Sequence, residues 1–410
     1  MPPPRTNHES EFRFDKMNHP QNHIFAHTPA TLKAWCAGHG MKPFRAKQIL
    51  EWVYRQGIAD PAQMSNLSEG DRRTLAEEMT FLSGPTVAHQ RATDGTQKLL
   101  IEWPDELDGT VDAGEAKIDV GDRLSLLDDA MPYSNTARQT ECVMIPAVSR
   151  GEAGEYGQDA RPTRERKTAC ISSQVGCPVG CRFCASGLGG LDGNLSAGRI
   201  VEQAWRLARL ERVGRISNIV FMGMGEPLAN FGPVTHAVRT LAADWGMGIS
   251  ARKITISTVG MHKAIERLAD ELDLPVTLAL SLHAPNDDLR RELIPWAEFT
   301  SIDQLIASCS KWFDKTGREI TLEYILLGGV NDRPEHAEQL AEVSSRLRGN
   351  INLIRYNEVR GLPFSRPETA HVHRFQEILL QNGANAHIRA SRGRDIAAAC
   401  GQLRHEKAGA

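Results

Sequence analysis

Residues 168–187 read TACISSQVGCPVGCRFCASG. The opening TACISS is a short apolar run and predicts a strand. Directly after it come Cys177, Cys181 and Cys184, spaced C-x3-C-x2-C. Three thiols on one tight loop can converge on a metal centre, and thiolates are the usual ligands of iron–sulfur clusters. Zinc ribbons normally use two C-x2-C pairs or histidines at metal spacing, and no second pair stands in the chain. Three local ligands leave one iron of a [4Fe–4S] cluster open to a small chelating molecule.

Downstream of that loop, strand-like runs alternate with amphipathic helices. The runs are TACISS, ISNIVFMG, KITIST, VTLALSLH, ITLEYILL and INLIRYN. Helical patterns fall at 196–211 and near 231–244, 260–270, 301–315 and 334–347; a last one at 371–383 leads to AHIRAS. Six strands with helical crossovers predict a parallel α/β sheet. Right-handed crossovers curl it into a partial (β/α)6-type barrel, whose chemistry belongs at the C-terminal ends of the strands. The barrel with its C-terminal segment is expected over 168–404.

Upstream, residues 28–104 predict a small helical domain with short strands. TPATLKAWCAGHG, MKPFRAKQILEWVYRQG and SEGDRRTLAEEM have helical signatures, and Asp94-Gly95 marks a turn into a strand. Residues 105–167 read as a linker strand, TECVMIPAV (140–148), between two flexible insertions near 104–138 and 149–167. Residues 1–27, with three consecutive prolines and four histidines, are expected to be a disordered tail.

Composition narrows the class. Among 410 residues, 41% are hydrophobic and 24% charged, which argues against wholesale disorder. No apolar window reaches about 18 residues, which excludes a spanning helix. The N-terminus lacks an apolar secretory core, so a cytoplasmic protein is expected. Net charge is −3, so nucleic-acid binding needs a local basic surface rather than a bulk excess. Eight cysteines are too few for a disulfide scaffold, and four of them cluster within 170–184.

Further motifs follow in order: VFMGMGEPLAN, ITISTVG, LALSLHAPND, INLIRYN and RGRDIAAACGQL. The glycines of Gly223-Met224-Gly225-Glu226-Pro227 allow close backbone approach to a ligand, and Glu226 can accept hydrogen bonds from an ammonium group. Ser257, Ser281 to His283 and Asn357 fall at strand ends on the expected ligand rim. Taken singly, each is an ordinary satisfied polar residue at a strand end. With CISSQVGCPVGCRFCASG, KPFRAKQILEW and TDGTQK, these motifs resemble the RlmN/Cfr group of radical S-adenosylmethionine (SAM) RNA adenosine methyltransferases. The likeness spans roughly residues 28–104 and 139–404.

The resemblance implies a [4Fe–4S] cluster on Cys177, Cys181 and Cys184, with S-adenosyl-L-methionine on the open iron. It implies that Gly225 and Glu226 hold the amino end of SAM, and that Ser257, Ser281, Leu282, His283 and Asn357 line its pocket. Cys400, in Ala-Ala-Cys-Gly-Gln, is then the residue methylated by a first SAM. A second SAM yields a 5′-deoxyadenosyl radical that takes hydrogen from that methyl, and the resulting carbon adds to adenine. Glu141 is implied as the proton acceptor. Cys170 is implied to release the base by forming a disulfide with Cys400. Cys36, Cys142 and Cys309 lack such context and are assigned to packing.

The implied target is C2 of adenosine, in 23S rRNA at the peptidyl-transferase centre and in tRNA next to the anticodon. C8 methylation of 23S rRNA, the Cfr type, shares every motif quoted. A non-catalytic RNA-binding iron–sulfur or zinc protein is the alternative of another class; it leaves Cys170, Cys400 and GMGEP unexplained. An electron donor such as flavodoxin or ferredoxin is the implied partner. Arg45, Lys47, Arg392 and Arg394 are candidate phosphate contacts, and the N-terminal helical unit is a candidate RNA-docking module.

Overall fold

The computed structural model describes residues 17–104, 138–147 and 166–403. Both expected insertions lie almost wholly outside these residues, as does the tail up to residue 16.

The N-terminal unit holds three helices, α1 (Pro29–Gly38), α2 (Arg45–Leu50) and α3 (Glu69–Glu78). Helix α1 starts where Thr28 and Thr31 cap each other's backbone, with Pro29 at its first position. Helix α2 runs on into a π-helical turn, Glu51–Gln56, which ends at Gly57 in the left-handed conformation. Strands β1 (Thr86–Arg91), β2 (Gln97–Glu102) and β3 (Gln139–Ile145) form an antiparallel meander.

Strand β4 (Thr168–Cys170) pairs antiparallel with β3, so the meander and the barrel strands share one sheet. The division expected at residue 105 and again at 168 therefore cuts across a continuous sheet. The physical reason is pairing: buried β3 needs partners for its backbone on both edges, and β2 and β4 supply them. A hairpin of β5 (Gln174–Gly176) and β6 (Leu191–Asn194) then brackets the cysteine loop.

The parallel strands continue as β7 (Asn218–Phe221), β8 (Ile254–Thr258), β9 (Thr277–Ser281), β10 (Ile320–Leu326), β11 (Gly349–Arg355) and β12 (Ala386–Arg389). Crossovers run through α4 (Ala197–Ala208), α5 (Phe231–Ala242), α6 (His262–Glu271), α7 (Asp287–Leu293) with α8 (Ile302–Thr316), α9 (Pro334–Ser345) and α10 (Thr369–Gln381). Seven parallel strands thus replace the expected six. The seventh, AHIR, is too short for a periodic signal and is held by its pairing with β11. The sheet stays open between edge strands β1 and β12, so the barrel is partial.

Helix ends follow local chemistry. The Ser196 hydroxyl accepts from the Arg199 amide at the start of α4. Ser301 and Gln304 form a capping box on α8, and Gly317 at φ +63° ends it.

Residues 17–27 depart from the expected tail. Phe25 is fully buried, with Tyr54 and Trp205 at ring-centroid distances of 5.8 and 5.5 Å. Burying such a ring stabilises by about 2–3 kcal/mol. His23 Nε2 lies 2.9 Å from Glu202 on α4, and the Ile24 amide donates to the Thr80 carbonyl. These partners are remote in sequence, so no local periodicity announces them. Among the described residues, no helix is long and apolar enough to cross a membrane.

Candidate active site

Strands β7 to β12 end around one cleft. Cys177, Cys181 and Cys184 line it from the loop after β5, and Cys400 from the C-terminal segment. Gly225, Glu226, Ser257, Ser281 and His283 line it too. Nine of the expected site residues therefore meet at the strand C-termini.

The cysteine loop is tightly held. The Cys177 amide donates to Gly190 O, Arg182 N to Leu293 O, and Cys184 N to Cys181 O. Burial pushes the Cys177 thiol up to about 12 and raises Cys181 and Cys184; neighbouring loop thiols add to it at Cys177 and Cys181, and Cys400 adds to it at Cys184. A cationic iron centre reverses that balance, because a coordinated thiol is deprotonated outright. Three thiols lining one cleft match the donor set of a [4Fe–4S] cluster, which takes each thiolate on a different iron.

Arg290 was not signalled by sequence. It is fully buried and donates to the carbonyls of Leu282, Thr300 and Val259. Burial lowers it to about 10, while Cys181 and Asp287 favour its charge. It therefore sets a cation beside the cysteine loop and ties the ends of β8 and β9 together.

Glu226 follows β7 and caps a short 3-10 helix, Pro227–Asn230. One carboxylate oxygen accepts from the Leu228 amide at 3.1 Å, the other from the Val259 amide at 2.8 Å. Burial pushes it up to about 7 against those bonds. The Thr258 hydroxyl bonds the same carboxylate, so three of its roughly four acceptor positions are used and one remains for an incoming ammonium. Gly225 needs its φ of +98°, and a Cβ there would stand 2.6 Å from Gln174 Cβ. Gly223 is equally tight: its Cβ would lie 2.8 Å from the Ile171 backbone.

The Ser257 and Ser281 hydroxyls are 3.2 Å apart. His283 Nδ1 accepts from the Ile325 amide at 3.1 Å, which leaves Nε2 as the protonated nitrogen. Burial, with Arg290 nearby, lowers it to about 3, so the ring is neutral. Two expected pocket residues do not line the cleft. Leu282 belongs to the main hydrophobic core, because side chains alternate along a strand and its neighbours Ser281 and His283 take the cleft side. Asn357 is buried, its Oδ1 accepting from Arg366 at 2.9 Å.

Cys170 is buried at the end of β4, beside Val143 in the register of β3. It packs with Val143, Val220, Met224, Ala398 and Leu403. The C-terminal segment therefore crosses the sheet face that carries Cys170, and Cys170 and Cys400 feel each other's charge. Burial pushes the Cys170 thiol up to about 12, with Cys400 adding and Arg389 opposing.

Arg389, at the end of β12, carries no signal in the sequence, because a four-residue strand is too short for a periodic pattern. Cys400 supports its charge most, burial opposes it, and Glu323 and Cys170 add support. Glu141, the expected proton acceptor, is fully buried in an ion pair with Lys98 at 2.6 Å and does not line the cleft. It sits on β3, a strand away from β4 and two from the nearest cleft strand, β7. Of the expected phosphate contacts, Arg45 is paired with Asp71 at 3.1 Å and Arg392 stands 3.8 Å from Asp94, while Lys47 is exposed. Arg394 lies exposed in a 3-10 turn, Arg394–Ile396. Cys36, Cys142 and Cys309 are buried, as expected for packing.

An open α/β barrel with three cysteines and a glycine-rich GMGEP turn at one cleft defines a radical SAM protein. Residues 171–341 match the family model of the radical SAM superfamily, and residues 23–81 match that of the ribosomal RNA large subunit methyltransferase N-terminal domain. A probable dual-specificity RNA methyltransferase RlmN of Rhodopirellula baltica is 39% identical over 391 residues, covering 94% of this chain and 92% of that one. The like-named protein of Salinibacter ruber is 40% identical over 383 residues, 92% of each chain. A radical SAM methyltransferase of Sphaerobacter thermophilus superposes with a TM-score of 0.80 at 38% identity, over 94% of this chain and all of that one. The chain belongs to the RlmN family of radical SAM RNA methyltransferases.

Proposed function

We propose that the chain methylates C2 of adenosine in 23S rRNA, at the peptidyl-transferase centre, and in tRNA next to the anticodon, acting in the cytosol with flavodoxin or ferredoxin as electron donor. The RlmN relatives carry "dual-specificity RNA methyltransferase" in their names, which supports two RNA substrates. The observation that carries the reading is the meeting of Cys177, Cys181, Cys184 and Cys400 at one cleft, with Cys170 under the segment that bears Cys400.

Cys177, Cys181 and Cys184 would hold a [4Fe–4S] cluster, and Gly225, Glu226, Ser257, Ser281 and His283 would hold SAM. When bound, cluster and SAM together supply a methyl group and a hydrogen-abstracting radical. Glu226 orients an ammonium through its remaining acceptor position, and the Gly223 and Gly225 backbone admits the ligand closely. Neutral His283 presents one N–H donor and adds no charge. Cys400 accepts the methyl as a thioether and presents that carbon, after loss of one hydrogen atom, to the adenine ring. The new C–C bond replaces the ring C–H bond, whose proton goes to Glu141, the acceptor proposed on the sheet face over which the Cys400 segment packs, and the remaining electron would return to the cluster. Release then follows thiol exchange chemistry: the Cys170 sulfur attacks the Cys400 sulfur, the S–C bond to the base breaks, and the thiol proton ends on the departing methyl carbon. One disulfide forms as one C–S bond is reduced.

The test is mass spectrometry of digested rRNA and tRNA from cells with and without the gene. C2-methyladenosine lost from both RNAs on deletion supports the reading. Loss of C8-methyladenosine instead, or no change in either RNA, overturns it.

A further inference from the structure

Among its described residues the C-terminal segment that carries Cys400 has one 3-10 turn, Arg394–Ile396, and otherwise irregular backbone, yet the proposed chemistry needs its sulfur held at the cleft. Its two ends are anchored differently. Past Cys400, the Ala185 amide donates to Gly401 O at 2.8 Å and the Ser186 hydroxyl to Leu403 O, both from the cysteine loop. Before Cys400, every anchor from outside the segment named here comes from the β1–β2 hairpin. Asp94 accepts from the Gly393 amide at 3.0 Å, and Asp395 accepts from the Thr93 amide at 2.8 Å. A Cβ on Gly393 would stand 2.9 Å from Thr96 Cγ2, so the two backbones are in close approach.

Lys98 is the deepest of these contacts. Its ammonium pairs with Glu141 at 2.6 Å and donates to the Ala397 carbonyl at 3.2 Å. Both side chains are almost fully buried. Register explains the arrangement: Lys98 faces Val143, and Glu141 faces Leu100, so all four share the sheet face on which Ala398 and Leu403 pack. Ala397 has φ +47°, a conformation costly for a residue with a Cβ, which persists only when surroundings hold it.

We propose that Lys98 is a positioning residue that latches the Cys400 segment over the cleft: it grips the Ala397 carbonyl, three residues before Cys400, and the Glu141 carboxylate is the counter-charge that keeps its ammonium in place. A buried ammonium without its carboxylate is strongly disfavoured, so removing Glu141 releases the grip as surely as removing Lys98. The role of the pair in catalysis rests on the proposed function; its grip on the segment does not.

The experiment compares anaerobically reconstituted wild type, Lys98→Met, Lys98→Arg, Glu141→Gln and the double variant K98M/E141L, all confirmed to carry iron. Amide exchange is followed by mass spectrometry on residues 391–403 and on a control peptide from β10. Each single variant is expected to speed exchange at 391–403 by about tenfold relative to the control peptide. RNA methylation should fall in both, and Lys98→Arg, which keeps the cation, should recover part of what Lys98→Met loses in exchange protection and in turnover. Unchanged exchange at 391–403 in folded single variants overturns the latch. Methylation by Lys98→Met at the wild-type rate overturns the positioning role. Failure of wild type to methylate any RNA overturns the proposed function and leaves the exchange result to decide the latch. If the single variants do not fold, the double variant must exchange faster at 391–403, relative to the control peptide, than wild type does, and an unchanged ratio overturns the latch.

Discussion

Arg389 Nη1 stands 3.7 Å from the Glu323 carboxylate, with both residues lining the cleft that Cys400 also lines. Strands β10 and β12 flank β11, so the pair spans an intervening strand and closes one side of the site. Its cation faces any thiolate formed at Cys400, and thiolate, not thiol, is the nucleophile toward a methyl group. Replacing Arg389 by Gln is expected to slow alkylation of Cys400 by iodoacetamide several-fold at neutral pH, on the order of 1 kcal/mol of lost charge interaction. Arg389→Lys should recover part of the rate. Peptide mass spectrometry over a time course measures it, and equal rates in wild type and Arg389→Gln would remove the cation from the site.

Substituting Cys177, Cys181 or Cys184 by alanine is expected to abolish cluster binding while leaving the fold. These thiols are only partly buried at the cleft, so each loss costs little core, about 1 kcal/mol. Iron and sulfide analysis after anaerobic reconstitution reads the outcome. Near-wild-type cluster content in any one variant would exclude that cysteine as a ligand.

Cys170→Ala is expected to stop the reaction after the adenine is joined to Cys400, because no thiol is then present to attack that sulfur. The protein should accumulate as a covalent RNA adduct, seen as a shifted band after denaturation. A second change, Cys400→Ala, should abolish the band. Multiple turnovers by Cys170→Ala would return this buried cysteine to a packing role.

Gly225→Ala should damage the site more than its size suggests. The new methyl meets Gln174 Cβ at 2.6 Å and Ser173 Oγ at 2.8 Å, on a backbone at φ +98°. Strain of this kind costs about 1–3 kcal/mol. SAM affinity measured by equilibrium dialysis is expected to drop at least about tenfold, in line with that cost. Unchanged affinity would show that the turn does not touch the ligand.

Acid should weaken the docking of residues 17–27. Burial works to raise the Glu202 carboxyl, but Arg206, His23 and Ser83 outweigh it and hold it at about 2, below the ordinary 4.5. A depressed carboxyl contributes stability that is present above about pH 4.5 and lost as pH falls toward 2, here on the order of 3 kcal/mol. The stability gap between wild type and Glu202→Gln in urea unfolding should therefore shrink between pH 6 and pH 3. A gap independent of pH would mean that the carboxylate charge contributes nothing.

The cysteine loop, the strand–helix alternation and the glycine turn were legible in the chain itself, because each is a local pattern: ligand spacing, apolar period, a backbone that must approach closely. The sequence also marked nine residues that the fold brings to one cleft, since strand ends are readable and a parallel barrel collects them on one side. Tertiary structure alone decided the rest. Leu282 and Asn357 leave the cleft wall because of strand parity and a bond from Arg366. Arg389 joins the cleft through a four-residue strand that no periodicity could reveal. Residues 17–27 pack because His23 finds Glu202 179 positions away. Glu141 is taken by Lys98, and Lys98 by a carbonyl 299 positions further on. Such contacts form between side chains whose proximity depends on register and sheet order, and neither quantity is written in the local pattern of either partner.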